Sequence, residues 1–149
     1  GEPFALRLDS EKAVEHLQAS GALPLHFAEL VALACDDEMV LEVDPHLFGD
    51  IVLARKDIPT SYHVPVVPDD HLQHISHVIR GEDRREAPHI QRVLQALLGF
   101  EPPKYFHHPL VRDETGRRLA KRDKDLTLRA LREKGLSPED VRAQIDRAQ

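Results

Sequence analysis

A short basic segment, residues 116–124 (GRRLAKRDK), carries the side chains of this chain best suited to binding phosphate. A glycine able to adopt a positive φ is followed by five Lys and Arg residues. Cations clustered beside a turn can bind a polyphosphate whose charge grows or moves during a reaction. The segment therefore indicates a phosphate-binding loop, although the pattern alone also fits an ordinary basic surface loop.

Tyr62 and Arg80 form a second candidate site, because each is predicted at the end of a short strand. The planar fork of an arginine can meet a carboxylate through two parallel hydrogen bonds. An arginine at a strand end is therefore suited to a substrate carboxylate. The same residues also fit an interface aromatic and a structural ion pair, in which Glu82 and Asp83 neutralise Arg80.

The ten histidines raise the question of a metal site. His71, His74 and His77 are spaced by three, but their segment is predicted to pass from a turn into a strand, so the side chains would not share one face. The single cysteine, Cys35, cannot form a disulfide within the chain, which agrees with a reducing compartment. We assign no metal-binding residue and expect a cytoplasmic protein.

Three short strands between residues 49 and 83 are predicted to position the tyrosine and the arginine. Apolar runs at residues 51–53, 64–67 and 75–79 are each followed by polar or charged residues. Pro65 lies within the middle run and Pro68 directly follows it, so both fall in a predicted central strand, which rarely admits a residue without a backbone N–H. On this interpretation Tyr62 and Arg80 lie at opposite ends of neighbouring strands.

Strands alternate with helices along the rest of the chain. Further strands are predicted at residues 4–8, 39–43 and 104–111, and residues 25–35 fit either a strand or a buried helix. Helices are predicted from a cap at Asp9-Ser10 to Gly21, from Pro88 to Gly99, from 126 to 134, and after Ser137. This order predicts an α/β fold with at least part of a parallel sheet.

Composition describes a globular protein of one domain. The chain has 149 residues, of which 41% are hydrophobic and 31% charged. No apolar run approaches the roughly 18 residues that a membrane span needs. A partner in the membrane is therefore not predicted.

Charge is distributed unevenly around a net value of −6. Residues 112–149 carry 11 Lys and Arg against 8 Asp and Glu, whereas the preceding residues carry 9 against 18. Any contact with a nucleic acid is therefore expected near the basic C-terminal third. A solvated helical face explains the same charges equally well.

Several motifs occur in one fixed order. They are Gly-Asp-Ile-Val-Leu-x-Arg-Lys-Asp (49–57), Ser-Tyr-His (61–63), Val-Val-x-Asp-Asp (66–70), His-Val-Ile-Arg-Gly-Glu-Asp (77–83), Tyr-Phe-His-His-Pro-Leu-Val (105–111) and Arg-Leu-Ala-Lys-Arg (118–122). Together they resemble the second half of the catalytic domain of class I glutamyl-tRNA synthetases, and look most like its short glutamyl-Q branch. Linked motifs in register are far more specific than any one of them.

The resemblance implies a Rossmann-like nucleotide-binding fold with C-terminal helices. It also implies a ligase that uses ATP, with Mg²⁺, to activate glutamate as glutamyl-adenylate and passes it to the queuosine base of tRNA(Asp). Glutamate binding is thereby assigned to Tyr62 and Arg80, and catalysis to Lys121. ATP binding is assigned to Lys121, Arg118, Leu119, Ala120, Arg122, His108 and Leu110.

Residues 118–122 occupy the position of the family's Lys-Met-Ser-Lys-Ser motif, with Arg118 for its first lysine and Ala120 for its serine. The family's His-Ile-Gly-His motif, which holds ATP from the other side, has no counterpart here. The resemblance therefore implies that residues 1–149 are a partial catalytic domain, with the basic loop and C-terminal helices at 112–149, and that the first half is a partner. The family's zinc site lies upstream, so zinc is not expected. The alternatives are a fragment of an ordinary glutamyl-tRNA synthetase and a non-catalytic binding module that needs a partner chain.

Overall fold

Strands and helices alternate along the chain, as the sequence predicts. The computed structural model describes residues 4–34, 37–58, 60–112, 116 and 127–147. The strands are β1 (Leu6–Arg7), β2 (His26–Leu30), β3 (Glu38–Glu42), β4 (Val52–Ala54), β5 (His77–Gly81) and β6 (Lys104–His108). The helices are α1 (Ser10–Ala19), α2 (His63–Leu72), α3 (Ala87–Leu98), α4 (Leu128–Glu133) and α5 (Pro138–Arg147), and a 3₁₀ turn covers Glu82–Arg84.

The chain divides into two compact units. The first unit is Gly1–Arg80 with Arg84–His107, and the second is Gly81–Asp83 with His108–Gln149.

A four-stranded sheet has the order β3-β2-β6-β5. β2 runs parallel to β6, with Glu29 opposite Tyr105, and antiparallel to β3. Parallel neighbours need a long crossover connection, and the chain between β2 and β6 includes both α2 and α3. The predicted mixed α/β fold with a partly parallel sheet is confirmed, and the ambiguous residues 25–35 contain a strand. β1 and β4 pair separately as a two-stranded antiparallel sheet.

Helix α3 forms as predicted and supplies much of the core of the first unit. Ile90, Val93 and Leu94 recur at helical spacing and are buried. Pro88 lies in the first turn, and Gly99 ends the helix with φ 71°. The buried cluster joins residues of both helices and strands: Leu17, Leu25, Phe27, Val43, Ile51, Val67, Ile90, Val93, Leu94 and Tyr105.

The predicted middle strand at residues 64–67 is wrong, because these residues belong to α2. Pro65 lies in the first turn of that helix, where a backbone N–H has no partner within the helix. Pro68 lies inside the helix, where it removes one hydrogen bond. Only Val67 of this helix is buried. Tyr62 therefore precedes a helix instead of ending a strand, whereas Arg80 lies near the end of β5 as predicted.

Helix ends follow the predicted capping residues. The Asp9 carboxylate accepts a hydrogen bond from the Lys12 backbone N–H at 3.1 Å and caps α1. In the second unit, Ser137 and Asp140 bond reciprocally at the start of α5, with distances of 2.9 Å from the Ser137 N–H and 3.2 Å from the Asp140 N–H. This is the arrangement of a capping box. The last two helices are therefore confirmed.

Candidate substrate-binding site

Arg80 is held by side chains from two other elements of the first unit. Its Nε–H donates to His107 Nε2 at 3.1 Å, and its Nη2 donates to Gln91 Oε1 at 3.1 Å. The guanidinium carbon lies 5.2 Å from the centre of the Tyr105 ring, within the range of a cation–π contact. These three partners are uncharged or unprotonated at the contacting atom, so they orient the arginine without pairing its charge.

Local structure explains why these side chains converge. In β6, Tyr105 and His107 are buried on alternate positions, as expected for one face of a strand. In α3, Gln91 and Gln95 are buried together with the apolar residues of the same helix. Gln95 donates to the Tyr105 hydroxyl at 3.3 Å. Polar residues on an apolar face therefore line up behind the arginine.

A buried carboxylate supports His107 from the neighbouring strand. Glu29 of β2 is 2% exposed, and its Oε2 lies 2.9 Å from His107 Nδ1. The backbone N–H of His107 also donates to Glu29 Oε1 at 3.1 Å. Arg85 approaches the same oxygen at only 4.0 Å. Glu29 is thus satisfied chiefly by His107.

Sequence reasoning named none of Glu29, Gln91 and His107 as a site residue. A signal was available, because each is a polar residue at a position whose spacing places it with buried apolar residues. Glu29, for example, alternates with Phe27 along β2, and both are buried. A buried charge is costly unless it is paired and hydrogen-bonded. Such positions mark residues that deserve a functional explanation.

Gln91 also has a buried donor without a partner. Its Oε1 accepts from Arg80, whereas its Nε2 makes no hydrogen bond with any residue of the described part of the chain. Buried polar atoms are nearly always satisfied, so this donor calls for an acceptor beyond the described residues, such as a water molecule or a ligand. This donor belongs to the residue that holds the Arg80 guanidinium.

Tyr62 lies at the start of α2 in the same unit. Its side chain is 49% exposed, and its ring meets that of His63 edge-on at 5.2 Å. The Arg84 guanidinium carbon lies 5.5 Å from the centre of the Tyr62 ring. Burial lowers the pKa of His63, and the charges of Arg80 and Arg84 lower it further. The helix end that carries Tyr62 is therefore within the electrostatic reach of Arg80.

Removal of the Arg84 charge should raise the pKa of His63. The pKa of His63 in the folded chain lies below the ordinary value of 6.5, so folding favours the neutral ring. The stability that this preference contributes is fully present above pH 6.5 and is lost as the pH falls through the lowered pKa. Arg84→Gln should move the pKa toward 6.5 in an NMR titration of the His63 ring. Arg85→Gln is the matched control and should leave it unchanged. An unaltered titration in Arg84→Gln would contradict this arrangement.

In the second unit, His108 is the last residue of β6, and Leu110 follows in the next segment. The Leu110 N–H donates to Glu82 Oε1 at 3.5 Å, and the same oxygen lies 3.7 Å from Arg112 Nη2. A Cβ at Gly81 would approach Leu110 Cδ2 and Asp83 Oδ1 to 2.7 Å each, closer than any side chain tolerates. A side chain at position 81 would therefore require the Leu110 and Asp83 side chains to shift. His108 is exposed, and its Nδ1–H donates to the Pro109 carbonyl at 2.8 Å.

The predicted phosphate-binding loop lies largely outside the described residues. Gly116 has φ 81°, so the expected left-handed glycine is confirmed. Five predicted site residues follow in the undescribed segment: Arg118, Leu119, Ala120, Lys121 and Arg122. Their roles stay predictions.

No group of three or more His, Cys, Asp or Glu side chains that could hold a metal ion occurs within the described ranges. No helix in those same ranges is long and apolar enough to cross a membrane.

Comparison with known proteins gives one consistent result. Residues 21–148 match the model of the catalytic domain of class I tRNA synthetases for glutamate and glutamine. The glutamyl-Q tRNA(Asp) synthetase of Rhodobacter capsulatus is 53% identical over 97 residues, which are 65% of this chain and 35% of that protein. Glutamate–tRNA ligase 2 of Syntrophus aciditrophicus is 43% identical over 91 residues, covering 61% of this chain and 19% of the ligase.

A solved structure agrees. The glutamate-tRNA synthetase of Elizabethkingia anophelis superposes with a TM-score of 0.50 at 25% identity, over 77% of this chain and 24% of that one. This likeness confirms the predicted Rossmann-like class I fold. The chain spans about a third or less of the length of these relatives.

Proposed function

Because the chain belongs to the catalytic-domain family of class I glutamyl- and glutaminyl-tRNA synthetases, we propose that it contributes to a site that activates glutamate with ATP and transfers it to the queuosine base of tRNA(Asp). The observation that carries this proposal is the orientation of the Arg80 guanidinium by the uncharged His107 Nε2 and Gln91 Oε1 atoms. In the activation step a carboxylate oxygen of glutamate bonds to the α-phosphorus of ATP, and the bond to pyrophosphate breaks.

Glutamate recognition is proposed for Arg80 and Tyr62. Within the described part of the chain, the hydrogen bonds of Arg80 use only Nε and one Nη2 hydrogen. Nη1 and the second Nη2 hydrogen can therefore meet the two oxygens of a substrate carboxylate as a fork. The unpartnered Gln91 Nε2 offers a further donor in the same surroundings. Tyr62 supplies an exposed ring and hydroxyl at the helix end where the charge of Arg80 acts on His63.

ATP binding is proposed for the end of β6, the segment after it and the basic loop. Lys121 would stabilise negative charge on the phosphates, with Arg118, Leu119, Ala120 and Arg122 beside it. His108 and Leu110 would contribute mainly backbone groups. Mg²⁺ would arrive with the phosphates of ATP, since it usually keeps substrate oxygens and waters as ligands.

The acceptor is proposed to be tRNA(Asp), because the 53% identical relative is named a glutamyl-Q tRNA(Asp) synthetase. Contact with RNA is assigned to the basic C-terminal third. There Arg129, Arg132 and Arg142 lie at a largely apolar groove of the second unit, between α4 and α5. Arginine side chains suit the phosphates of an RNA backbone.

The domain assignment is part of the same proposal. Residues 1–149 would form the second half of the class I nucleotide-binding fold, with the basic loop and helices at 112–149. The half that carries the His-Ile-Gly-His motif in this family would come from another segment or a second chain. Such an enzyme would act in the cytoplasm.

Glutamate-dependent exchange of pyrophosphate into ATP tests the proposal. The complete gene product and the 149-residue chain should be assayed without tRNA, followed by transfer of labelled glutamate to tRNA(Asp) containing queuosine and to tRNA(Glu). Exchange without tRNA and transfer to tRNA(Asp) would support the proposal. Transfer to tRNA(Glu) would identify an ordinary glutamyl-tRNA synthetase. A folded gene product without exchange would favour the non-catalytic module.

A further inference from the structure

We propose that Glu29 and His107 are positioning residues, which fix the Arg80 guanidinium for the carboxylate of the amino acid. This inference rests on the proposed function, since it extends glutamate recognition from Arg80 to the buried residues behind it. The three side chains form one continuous path, from Glu29 on β2 through His107 on β6 to Arg80 on β5. Neither Glu29 nor His107 contacts the substrate in this scheme.

The hydrogen bonds determine where the proton of His107 lies. A guanidinium has donors only, so Arg80 Nε–H requires an unprotonated acceptor at His107 Nε2, 3.1 Å away. The ring proton must then be on Nδ1, from which it is donated to Glu29 at 2.9 Å. Glu29 thus selects the neutral tautomer that presents a lone pair to the arginine.

The consequence for Arg80 is a restricted orientation. His107 engages Nε, Gln91 engages Nη2, and the Tyr105 ring lies 5.2 Å from the guanidinium carbon. A flexible arginine loses side-chain entropy when it binds a ligand, and prior orientation reduces that loss. The geometry therefore fixes the direction of the remaining N–H donors of Arg80, on Nη1 and Nη2, before the substrate carboxylate binds.

Stability alone explains this cluster poorly. The Glu29 side chain is only 2% exposed. Replacement of a buried charged pair by apolar residues of similar volume often leaves stability unchanged or increases it. The competing structural role is a link between β2 and β6, made by the same Glu29–His107 bonds. Two substitutions of His107 separate these roles, because its two ring nitrogens face different partners.

His107→Asn keeps a donor near the position of Nδ1 for Glu29 but removes the acceptor for Arg80. His107→Gln does the opposite, since its longer amide reaches the position of Nε2. We expect His107→Asn to raise the KM for glutamate about 10- to 100-fold, the range seen when groups behind a metal ligand are removed. His107→Gln should stay closer to the wild type, and the KM for ATP should change little in either variant.

The assay is glutamate-dependent pyrophosphate exchange by the complete gene product, with Glu29→Gln as a further variant expected to raise the same KM. Glu38→Gln is the control, since Glu38 forms a more exposed ion pair with Lys104 at 2.7 Å on the same sheet. If the strand link were the only role, His107→Gln would be the more damaging substitution, and both changes would lower stability without a selective change in the glutamate KM. That result would overturn the proposal.

A spectroscopic measurement decides the question independently of activity. ¹⁵N NMR of the 149-residue chain should find the His107 proton on Nδ1 and a protected Arg80 Nε–H, and His107→Asn should remove that protection. A proton on Nε2 or on both nitrogens in the wild type would overturn the inference. A gene product without exchange activity that still has this tautomer would refute the proposed function while the positioning of Arg80 stands.

Discussion

Arg80→Ala should raise the KM for glutamate about 100-fold or more, because truncation of one member of a buried charge pair costs roughly 3 kcal/mol or above. The rate at saturating glutamate and the KM for ATP should change much less, since the arginine is proposed to bind the amino acid and not the phosphates. The measurement is pyrophosphate exchange by the complete gene product over a range of glutamate concentrations. Arg80→Lys should also fail to restore the affinity, because an ammonium lacks the planar fork and the Nε–H that engages His107.

Arg55→Ala is the matched control for this prediction. Arg55 pairs with Asp57 at 3.2 Å on the surface, with more than half of each side chain exposed. Surface ion pairs contribute little, so the glutamate KM should be unchanged. Circular dichroism confirms that each variant is folded. An unchanged KM in a folded Arg80→Ala variant would remove Arg80 from glutamate recognition.

Lys121→Ala should produce the opposite kinetic pattern. It should slow formation of glutamyl-adenylate about 100- to 1000-fold, the usual effect of removing one group that stabilises charge developing in a transition state. Glutamate binding should change little, because the lysine is proposed to face the phosphates. Single-turnover formation of the adenylate separates the two steps.

Lys124→Ala replaces a different lysine of the same basic segment. It is the control for nonspecific loss of positive charge. It should slow adenylate formation far less than Lys121→Ala. Equal losses from both lysines would mean that the loop acts through its net charge. Equal effects of Lys121→Ala on adenylate formation and on glutamate binding would reject its assignment to catalysis.

The elements that sequence reasoning predicted well are those with explicit end signals. Helix α3 combines a proline in its first turn, apolar residues at helical spacing and Gly99 at its end, so local chemistry and tertiary packing agree. The start of α5 is defined in the same way by Ser137 and Asp140. In both helices the decisive interactions are local, and local interactions are readable in a sequence.

Helix α2 was mistaken for a strand because its signals conflict. Three valines favour a strand, and a short apolar run cannot be assigned by periodicity alone. Pro65 and Pro68 argue against a central strand, and the first of them is compatible with the opening turn of a helix. A central strand would have to accommodate both prolines against their usual preference. The helix has Pro65 in its first turn, where proline is commonly tolerated.

From the sequence, site roles could be proposed only for residues that lie within the motifs, and those roles stay predictions. Tyr62 and Arg80 lie in motifs of the family, and the structure places the helix end bearing Tyr62 within electrostatic reach of Arg80. The supporting contacts of Arg80 depend on how β2, β5, β6 and α3 come together, which no local pattern encodes. Buried polar positions such as Glu29 and Gln91 can be suspected from alternation, but their partners cannot be read from it.

The contacts behind Arg80 also have a consequence for folding order. Glu29 and His107 are 78 residues apart in the chain, so they meet only after β2 and β6 have paired across the whole intervening segment. Contacts of such long sequence separation carry a high loop-closure cost and form slowly. A folding intermediate that has α3 but lacks this strand pairing would contain an arginine free to rotate. Selectivity for the amino acid would thus be acquired late in folding, after much of the secondary structure is already in place.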